Sequence, residues 1–151
     1  NIELNKNIKL YFIWCWNHEK FLKNVSWKYL NQNIFFLWKK EHYQIPDYIN
    51  SSDVLVSYVP KIHYFEHQQP TKLIEYLACN KLVICTNTVA QVEILKWYEF
   101  LIHEDNFYST KDKIFYIINN IENLNKNNFT QLVGNLSWKK LVGKLYNLII
   151  K

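Results

Sequence analysis

The chain alternates short, almost unbroken apolar runs with longer amphipathic segments. The apolar runs cover residues 8–16, 34–38, 54–59, 82–85 and 100–102. A run with apolar residues on both faces is typical of a parallel strand whose sheet is covered by helices on both sides. The segments between the runs predict helices at about 18–30, 46–51, 70–79, 89–98 and 110–124. The alternation therefore predicts an α/β fold with a mostly parallel sheet flanked by helices.

The length and the apolar content indicate one domain. The chain has 151 residues, of which 49% are hydrophobic, and this is enough for a single compact core.

From Thr130 onward the pattern predicts a long C-terminal helix. Its predicted apolar face comprises Trp138, Leu141, Val142, Leu145, Leu148 and Ile149. Lysines on the opposite face, such as Lys140 and Lys144, predict a solvated surface, and peripheral contact with an anionic membrane is the alternative.

The basic residues limit what the chain can recognise. All 18 are lysines, so bidentate recognition of phosphate or guanine by arginine is absent. An anion site in this chain must use lysine, backbone amides or helix ends. We interpret the net charge of +5 as a compositional bias and expect no nucleic-acid partner.

The cysteines indicate the compartment. Cys15, Cys79 and Cys85 are odd in number, and each lies within an apolar run, which is typical of reduced, buried thiols. No apolar stretch approaches the length of a membrane span, and the first residues do not resemble a signal peptide. We therefore expect a cytoplasmic protein, in contact with the inner face of a membrane only peripherally if at all.

The segment at residues 61–86 contains the strongest candidate for a binding site. The strand predicted at 54–59 is followed by a polar loop, and Pro70 is well placed as the first residue of a helix. Ligands bind at such loops in parallel sheets, and the start of the helix favours anions. Lys72 and Glu75 share a helix face, so one can neutralise phosphate while the other accepts hydrogen bonds from sugar hydroxyls. An exposed lysine–glutamate pair without a ligand is the alternative.

Residues 70–86 read Pro-Thr-Lys-Leu-Ile-Glu-Tyr-Leu-Ala-Cys-Asn-Lys-Leu-Val-Ile-Cys-Thr. This resembles the Pro-x-Lys-Leu-x-Glu-Tyr-x-Ala-x-Gly-Lys-Pro-Val-Ile-x-Thr signature of retaining, nucleotide-sugar-dependent glycosyltransferases of the GT-B fold, known as glycosyltransferase group 1 or family 4. Three flanking segments resemble the same family in the same order: residues 45–56, Glu93, and the Ser-Trp motif within residues 136–141. The resemblance covers roughly residues 8–150.

The resemblance implies a carboxyl-terminal donor-binding domain with a Rossmann-like fold, one half of a GT-B enzyme. It implies a hexosyltransferase that moves a sugar from a nucleotide diphosphate sugar to an acceptor hydroxyl, with retention and without a metal or other cofactor. The acceptor, a glycan or lipid-linked alcohol, would be bound by an amino-terminal domain that residues 1–151 do not include. We therefore expect an N-terminally truncated fragment of a two-domain enzyme, inactive by itself.

The resemblance also assigns roles to residues. Glu75 would hold the ribose, and Lys72 with Pro70 and Thr71 at the helix start would lie near the diphosphate. The candidates for contact with the sugar are His67, Glu66 and Gln68. His67 occupies the position of the family's first glutamate, with Glu66 one place earlier. Glu93 either supports the site or caps the next helix.

One departure from the family pattern and two alternative functions bear on this prediction. Asn80 replaces a family glycine, but asparagine tolerates a left-handed backbone and can keep the turn. The sequence His63-Tyr-Phe-Glu66-His67 spells a zinc-binding motif of metallopeptidases, which needs a stable helix and a third ligand. A zinc metallopeptidase and a non-catalytic α/β interaction module are therefore the alternative functions.

Overall fold

A computed structural model of the chain describes residues 8–13, 19–96, 98, 101–134, 136, 139–140, 142 and 146. The strands are β1 Leu10–Ile13, β2 Ile34–Leu37, β3 Val54–Ser57, β4 Leu82–Thr86 and β5 Ile102–His103. The helices are α1 Glu19–Val25, α2 Ile45–Ser51, α3 Thr71–Ala78, α4 Val89–Leu95, α5 Phe107–Leu124 and α6 Thr130–Val133. The chain divides into two compact units, residues 1–45 and 46–151.

The first unit contains a parallel pair of strands. In the pairing of β1 with β2, Leu10 lies opposite Ile34. Two aromatic pairs stack across the strands, Tyr11 on Phe35 and Phe12 on Phe36, each with ring centroids 4.9 Å apart. Cross-strand aromatic pairs stabilise a sheet, and here they fix the register of the two strands.

The second unit is built on a three-stranded parallel sheet in the order β3-β4-β5. The central strand β4 is buried at all five positions, as its unbroken apolar sequence predicts. Helix α3 connects β3 with β4, and α4 connects β4 with β5. The core of this unit joins β4 to apolar residues of the helices, chiefly Leu73, Leu77, Leu95, Ile117 and Leu124.

Helix α3 forms because its apolar residues recur at helical spacing. Leu73 and Leu77, four residues apart, are both fully buried. The helix is followed by Asn80, whose φ of 55° lies in the left-handed region. This confirms the prediction that asparagine keeps the turn at the position of the family's glycine. The Asn80 side chain also accepts a hydrogen bond of 2.7 Å from the backbone N–H of Phe129, which a glycine could not do.

The observed architecture is α/β with parallel strands, and it confirms the predicted fold class. The described strands lie in two sheets rather than one, β1 with β2 and β3 with β4 and β5. Helix α5 begins before the predicted residue 110, because Asn106 accepts a hydrogen bond of 2.9 Å from Ser109 N and so caps its amino end. The first predicted helix ends early, at Val25, and a 3-10 turn at Trp27–Tyr29 follows it.

The predicted C-terminal helix is described only in part. Helix α6 covers Thr130–Val133 and lies against α3. Gly134 is in a turn, and the described residues 139, 140, 142 and 146 are helical, with Val142 exposed. The other members of the predicted apolar face, Trp138, Leu141, Leu145, Leu148 and Ile149, lie outside the described residues, as does Lys144.

Candidate functional site

The polar loops of the second unit follow the carboxyl ends of its three strands. Residues 58–70 follow β3, Asn87 and Thr88 follow β4, and Glu104 begins the turn after β5. Because the strands are parallel, these segments lie at the same edge of the sheet. We call this edge the carboxyl edge. It is the edge at which the sequence predicts a ligand.

A buried hydrogen-bond network supports the carboxyl edge. Ser57 Oγ donates to Gln91 Oε1 at 2.6 Å. Gln91 Nε2 in turn donates to both the carbonyl and the side-chain oxygen of Thr86, each at 3.0 Å. All three residues are buried. The network therefore joins the ends of β3 and β4 to α4 with the amide of Gln91 fully bonded, as buried amides require.

Thr86 also fixes the first part of the 58–70 loop. Its Oγ1 accepts a hydrogen bond of 3.0 Å from Val59 N and donates one of 2.7 Å to Val59 O. One side chain thus satisfies both backbone groups of the same residue. The loop consequently leaves the sheet along a defined path.

Asp105, in the turn between β5 and α5, contacts the same loop with both carboxylate oxygens. Tyr58 OH donates to Oδ1 at 2.9 Å, and the backbone N–H of Lys61 donates to Oδ2 at 3.0 Å. The hydrogen bond to Asp105, with smaller contributions from burial and charge repulsion, raises the pKa of Tyr58. The Lys61 ammonium lies 4.0 Å from a carboxylate oxygen of Glu104.

Glu66 fixes the later part of the 58–70 loop against α4. Its Oε2 accepts a hydrogen bond of 3.1 Å from Val89 N, and its carbonyl accepts one of 3.0 Å from Ala90 N. A carboxylate at this position satisfies amide groups that the first turn of a helix leaves without a partner. Glu66 is therefore oriented by α4.

The residues of α3 that the sequence singles out lie at its amino end. Pro70 immediately precedes the helix and is buried, whereas Thr71, Lys72 and Glu75 are exposed. Pro70 has no side-chain acceptor, so it gives the first turn no side-chain cap. Lys72 and Glu75, three residues apart, lie on a different face of the helix from the buried Leu73 and Leu77.

The residues that follow the carboxyl end of α3 make hydrogen bonds to other segments of the chain. Lys81 Nζ donates hydrogen bonds to the carbonyls of Asn50 and Ser52, the latter at 3.1 Å. These carbonyls belong to the last turn of α2 and the residue beyond it, where a cation is favoured. Together with the Asn80 contact to Phe129, this lysine bond ties the end of α3 to two neighbouring segments.

The other predicted site residues belong to the 58–70 loop and to α4. Glu66, His67 and Gln68 all belong to the 58–70 loop, and His67 and Gln68 are exposed. Glu93 is exposed and is the fifth residue of α4. Glu66, rather than Glu93, contacts the amino end of α4.

Sequence reasoning missed Asp105 and Gln91. Asp105 follows a predicted strand, which is the one signal that points to it, whereas Gln91 stands out only as an amide within an otherwise apolar helical segment.

Two further oxygens at the carboxyl edge, Asn87 Oδ1 and Thr88 Oγ1, are buried without a hydrogen-bond partner among the described residues. An unpaired buried oxygen destabilises a fold by about 1 to 3 kcal/mol.

The zinc-site alternative lacks the helix that it needs. Residues 62–67 form turns, and His63 and His67 are both exposed. In the part of the chain that the structure describes, no group of three or more histidine, cysteine, aspartate or glutamate residues could hold a metal ion. The motif is therefore not presented in the way that a metallopeptidase presents it.

Of the three cysteines, Cys85 is buried, as predicted, and Cys79 is half-buried. Burial raises the pKa of the Cys85 thiol to about 12, while the nearby ammonium of Lys113 acts in the opposite direction. Cys85 is thus an unreactive core thiol at neutral pH. Cys15 lies outside the described residues.

The sequence predicts no membrane-spanning segment, and the hydropathy of the helices bears on that prediction. Within the described ranges, none of them is both long and apolar enough to span a bilayer.

The fold and the carboxyl edge define a class: a Rossmann-like α/β domain whose polar loops lie beyond the ends of parallel strands. The family described as Glycosyl transferases group 1 matches residues 1–130, and the chain therefore belongs to this family. It is a glycosyltransferase domain of the GT-B type. A comparison with curated proteins found no match.

Proposed function

We propose that the carboxyl edge binds a nucleotide diphosphate sugar and that the sugar is transferred to an acceptor hydroxyl with retention of configuration. The observation that carries this proposal is the exposed amino end of α3, where Lys72 and Glu75 share a face beside the 58–70 loop. A cation and a carboxylate at a helix start can bind phosphate and sugar hydroxyls, respectively.

Each part of the donor has a proposed partner. The diphosphate lies near Lys72 and the helix start formed by Pro70 and Thr71. Glu75, farther along the exposed face of α3, accepts hydrogen bonds from both ribose hydroxyls. Glu93 supports the site from α4.

For the transferred sugar, we propose that Glu66 rather than His67 is the main contact. Glu66 uses Oε2 to contact α4, and its Oε1 has no partner among the described residues. A carboxylate already oriented by the protein loses little freedom when a ligand binds. His67 and Gln68 are exposed neighbours that complete the contact with the sugar.

The donor itself is the substrate, and we propose that no metal or other cofactor is required. Lysine and the helix dipole supply the countercharge for the diphosphate. The acceptor, a glycan or lipid-linked alcohol, would be bound by a second domain, so that residues 1–151 form a donor-binding domain that does not transfer sugar alone. A cytoplasmic location, at most peripheral to the membrane, fits this proposal.

Calorimetry tests the proposal. Uridine and guanosine diphosphates and their hexose derivatives are titrated into the chain, with and without a chelator. We expect at least one nucleotide to bind weakly, with the same affinity in both conditions. Failure of every nucleotide to bind at millimolar concentration would contradict donor binding, and loss of binding with the chelator would contradict the metal-independent site.

Two matched variants separate Glu66 from His67. Glu66→Gln keeps the shape and one acceptor oxygen, and His67→Gln removes the imidazole. We expect Glu66→Gln to weaken binding of the nucleotide sugar about tenfold while changing the affinity for the nucleoside diphosphate little. A tenfold loss for His67→Gln with no loss for Glu66→Gln would reverse the assignment.

A further inference from the structure

The 58–70 loop has neither helix nor strand, yet it is attached to the fold at separate points. Loops of this kind are usually the most mobile parts of a domain. Here Thr86 holds the loop at Val59, and Glu66 anchors it to α4. Asp105 holds Tyr58, immediately before the attachment at Val59, and Lys61, which lies between Val59 and Glu66.

Asp105 itself lies in a turn that is held by hydrogen bonds. Ser109 N donates to Asn106 Oδ1 at 2.9 Å, and Glu104 N donates to Ser109 Oγ at 2.9 Å. Asn106 N also donates to the carbonyl of Glu104 at 2.8 Å. These bonds fix the residues on both sides of Asp105 to the first turn of α5. The backbone that carries the carboxylate is therefore held by hydrogen bonds on both sides.

Asp105 differs from Thr86 in what else it contacts. Thr86 is buried and belongs to the network around Gln91, so its loss would disturb the core as well as the loop. Asp105 is exposed, and its hydrogen bonds within the described residues reach only Tyr58 and Lys61. Its removal should therefore act on the loop while leaving the core intact.

We propose that Asp105 is a positioning residue, whose two hydrogen bonds hold the 58–70 loop in the conformation that presents Glu66 and the start of α3 to the donor. The functional part of this inference rests on the proposed donor site. The structural part, which is the ordering of the loop, does not depend on that site. A loop held in its binding conformation spares the ligand the cost of ordering it.

Trypsin measures the ordering directly because Lys61 is the only lysine within residues 58–70. Cleavage after Lys61 requires local opening of the loop. We expect Asp105→Ala to accelerate this cleavage about tenfold, since two hydrogen bonds to a carboxylate are lost. Asp105→Asn, which keeps one acceptor oxygen, should give an intermediate rate. Asp112→Ala, which removes an exposed carboxylate of α5, is the matched control and should leave the rate unchanged.

Nucleotide titrations of the same variants complete the test. We expect Asp105→Ala to weaken binding of a nucleoside diphosphate sugar threefold to tenfold, with Asp105→Asn in between and the melting temperature almost unchanged. An unchanged cleavage rate after Lys61 in Asp105→Ala would overturn the inference, as would faster cleavage with unaltered nucleotide affinity. If the unaltered chain binds no nucleotide, the proposed function fails, and the cleavage rates, measured without ligand, still decide whether Asp105 orders the loop.

Discussion

Two groups of polar residues in the second unit lie in different surroundings. One group is bonded within the chain: the buried network around Gln91 and the carboxyl end of α3, where Asn80 and Lys81 contact other segments. The other group lies at the amino end of α3, where Lys72 and Glu75 are exposed. The same short helix thus has long-range hydrogen bonds at its carboxyl end and exposed charged side chains at its amino end.

The difference separates residues that stabilise the fold from residues available to a ligand. A buried or bonded polar group stabilises the native state only while its partner is present, so its loss should reduce stability. An exposed group at a ligand-binding edge contributes little to stability, and its loss should reduce binding instead. Substitutions in the two groups should therefore give opposite patterns of stability and affinity.

The largest loss of stability is expected at Gln91. Replacement of Gln91 by leucine leaves Ser57 Oγ and the carbonyl of Thr86 without this partner inside the fold. We expect the free energy of unfolding to fall by about 2 to 4 kcal/mol, measured by urea denaturation. Gln131→Leu, at an exposed glutamine, is the control. Equal stability of Gln91→Leu and the unaltered chain would show that the network does not support the edge.

The next largest effect is expected at Asn80. Asn80→Ala combines a left-handed backbone with a residue that disfavours it and removes the bond to Phe129, so we expect a loss of about 1.5 to 3 kcal/mol. Asn80→Gly removes only the hydrogen bond and should cost about 0.5 to 1.5 kcal/mol. Thermal unfolding measures both variants. A glycine variant as unstable as the alanine variant would refute the role of the backbone conformation.

A smaller effect is expected at Lys81. Lys81→Met keeps most of the aliphatic chain but removes the hydrogen bonds to the carbonyls of Asn50 and Ser52. We expect the unfolding free energy to fall by about 1 kcal/mol. Lys126→Met, at an exposed lysine that bonds only locally to Asn123, should change it much less. A loss of equal size in both variants would indicate a general effect of charge rather than an effect of the Lys81 hydrogen bonds.

The smallest effect on stability concerns Tyr58 and pH. The fold raises the pKa of Tyr58 above its ordinary value of 10.0, so the protonated phenol is favoured in the native state. Its contribution is present below pH 10 and is lost as the pH rises through the native pKa, because the phenolate cannot donate to Asp105. Denaturation at pH 9 to 11 should show a steeper decline for the unaltered chain than for Tyr58→Phe. Parallel declines would show that this hydrogen bond is absent in solution.

Much of the second unit follows from local sequence. The unbroken apolar run predicts the buried strand β4, and Pro70 predicts the start of α3 to within one residue. The left-handed conformation at Asn80 was also predictable, because few residues besides glycine adopt it readily. These features depend on spacing within a few residues.

The contacts between distant residues were not predictable. Ser57 and Gln91 are 34 positions apart, and Tyr58 and Asp105 are 47 positions apart. Hydrogen bonds of this kind depend on the packing of whole elements, and no local pattern encodes them. The same reason explains why strand periodicity predicted parallel strands but did not predict their division into two sheets.

The most direct test of the account is the nucleotide affinity of the amino end of α3, measured by calorimetry for a nucleoside and its diphosphate. We expect Glu75→Gln to weaken both ligands alike, by roughly 10- to 100-fold, and Lys72→Ala to weaken the diphosphate more than the nucleoside. Glu122→Gln, at an exposed glutamate of α5, is the control. The melting temperatures of Glu75→Gln and Glu122→Gln should be unchanged. Unaltered affinity of Glu75→Gln together with a lower melting temperature would make Glu75 a structural residue and contradict the donor site.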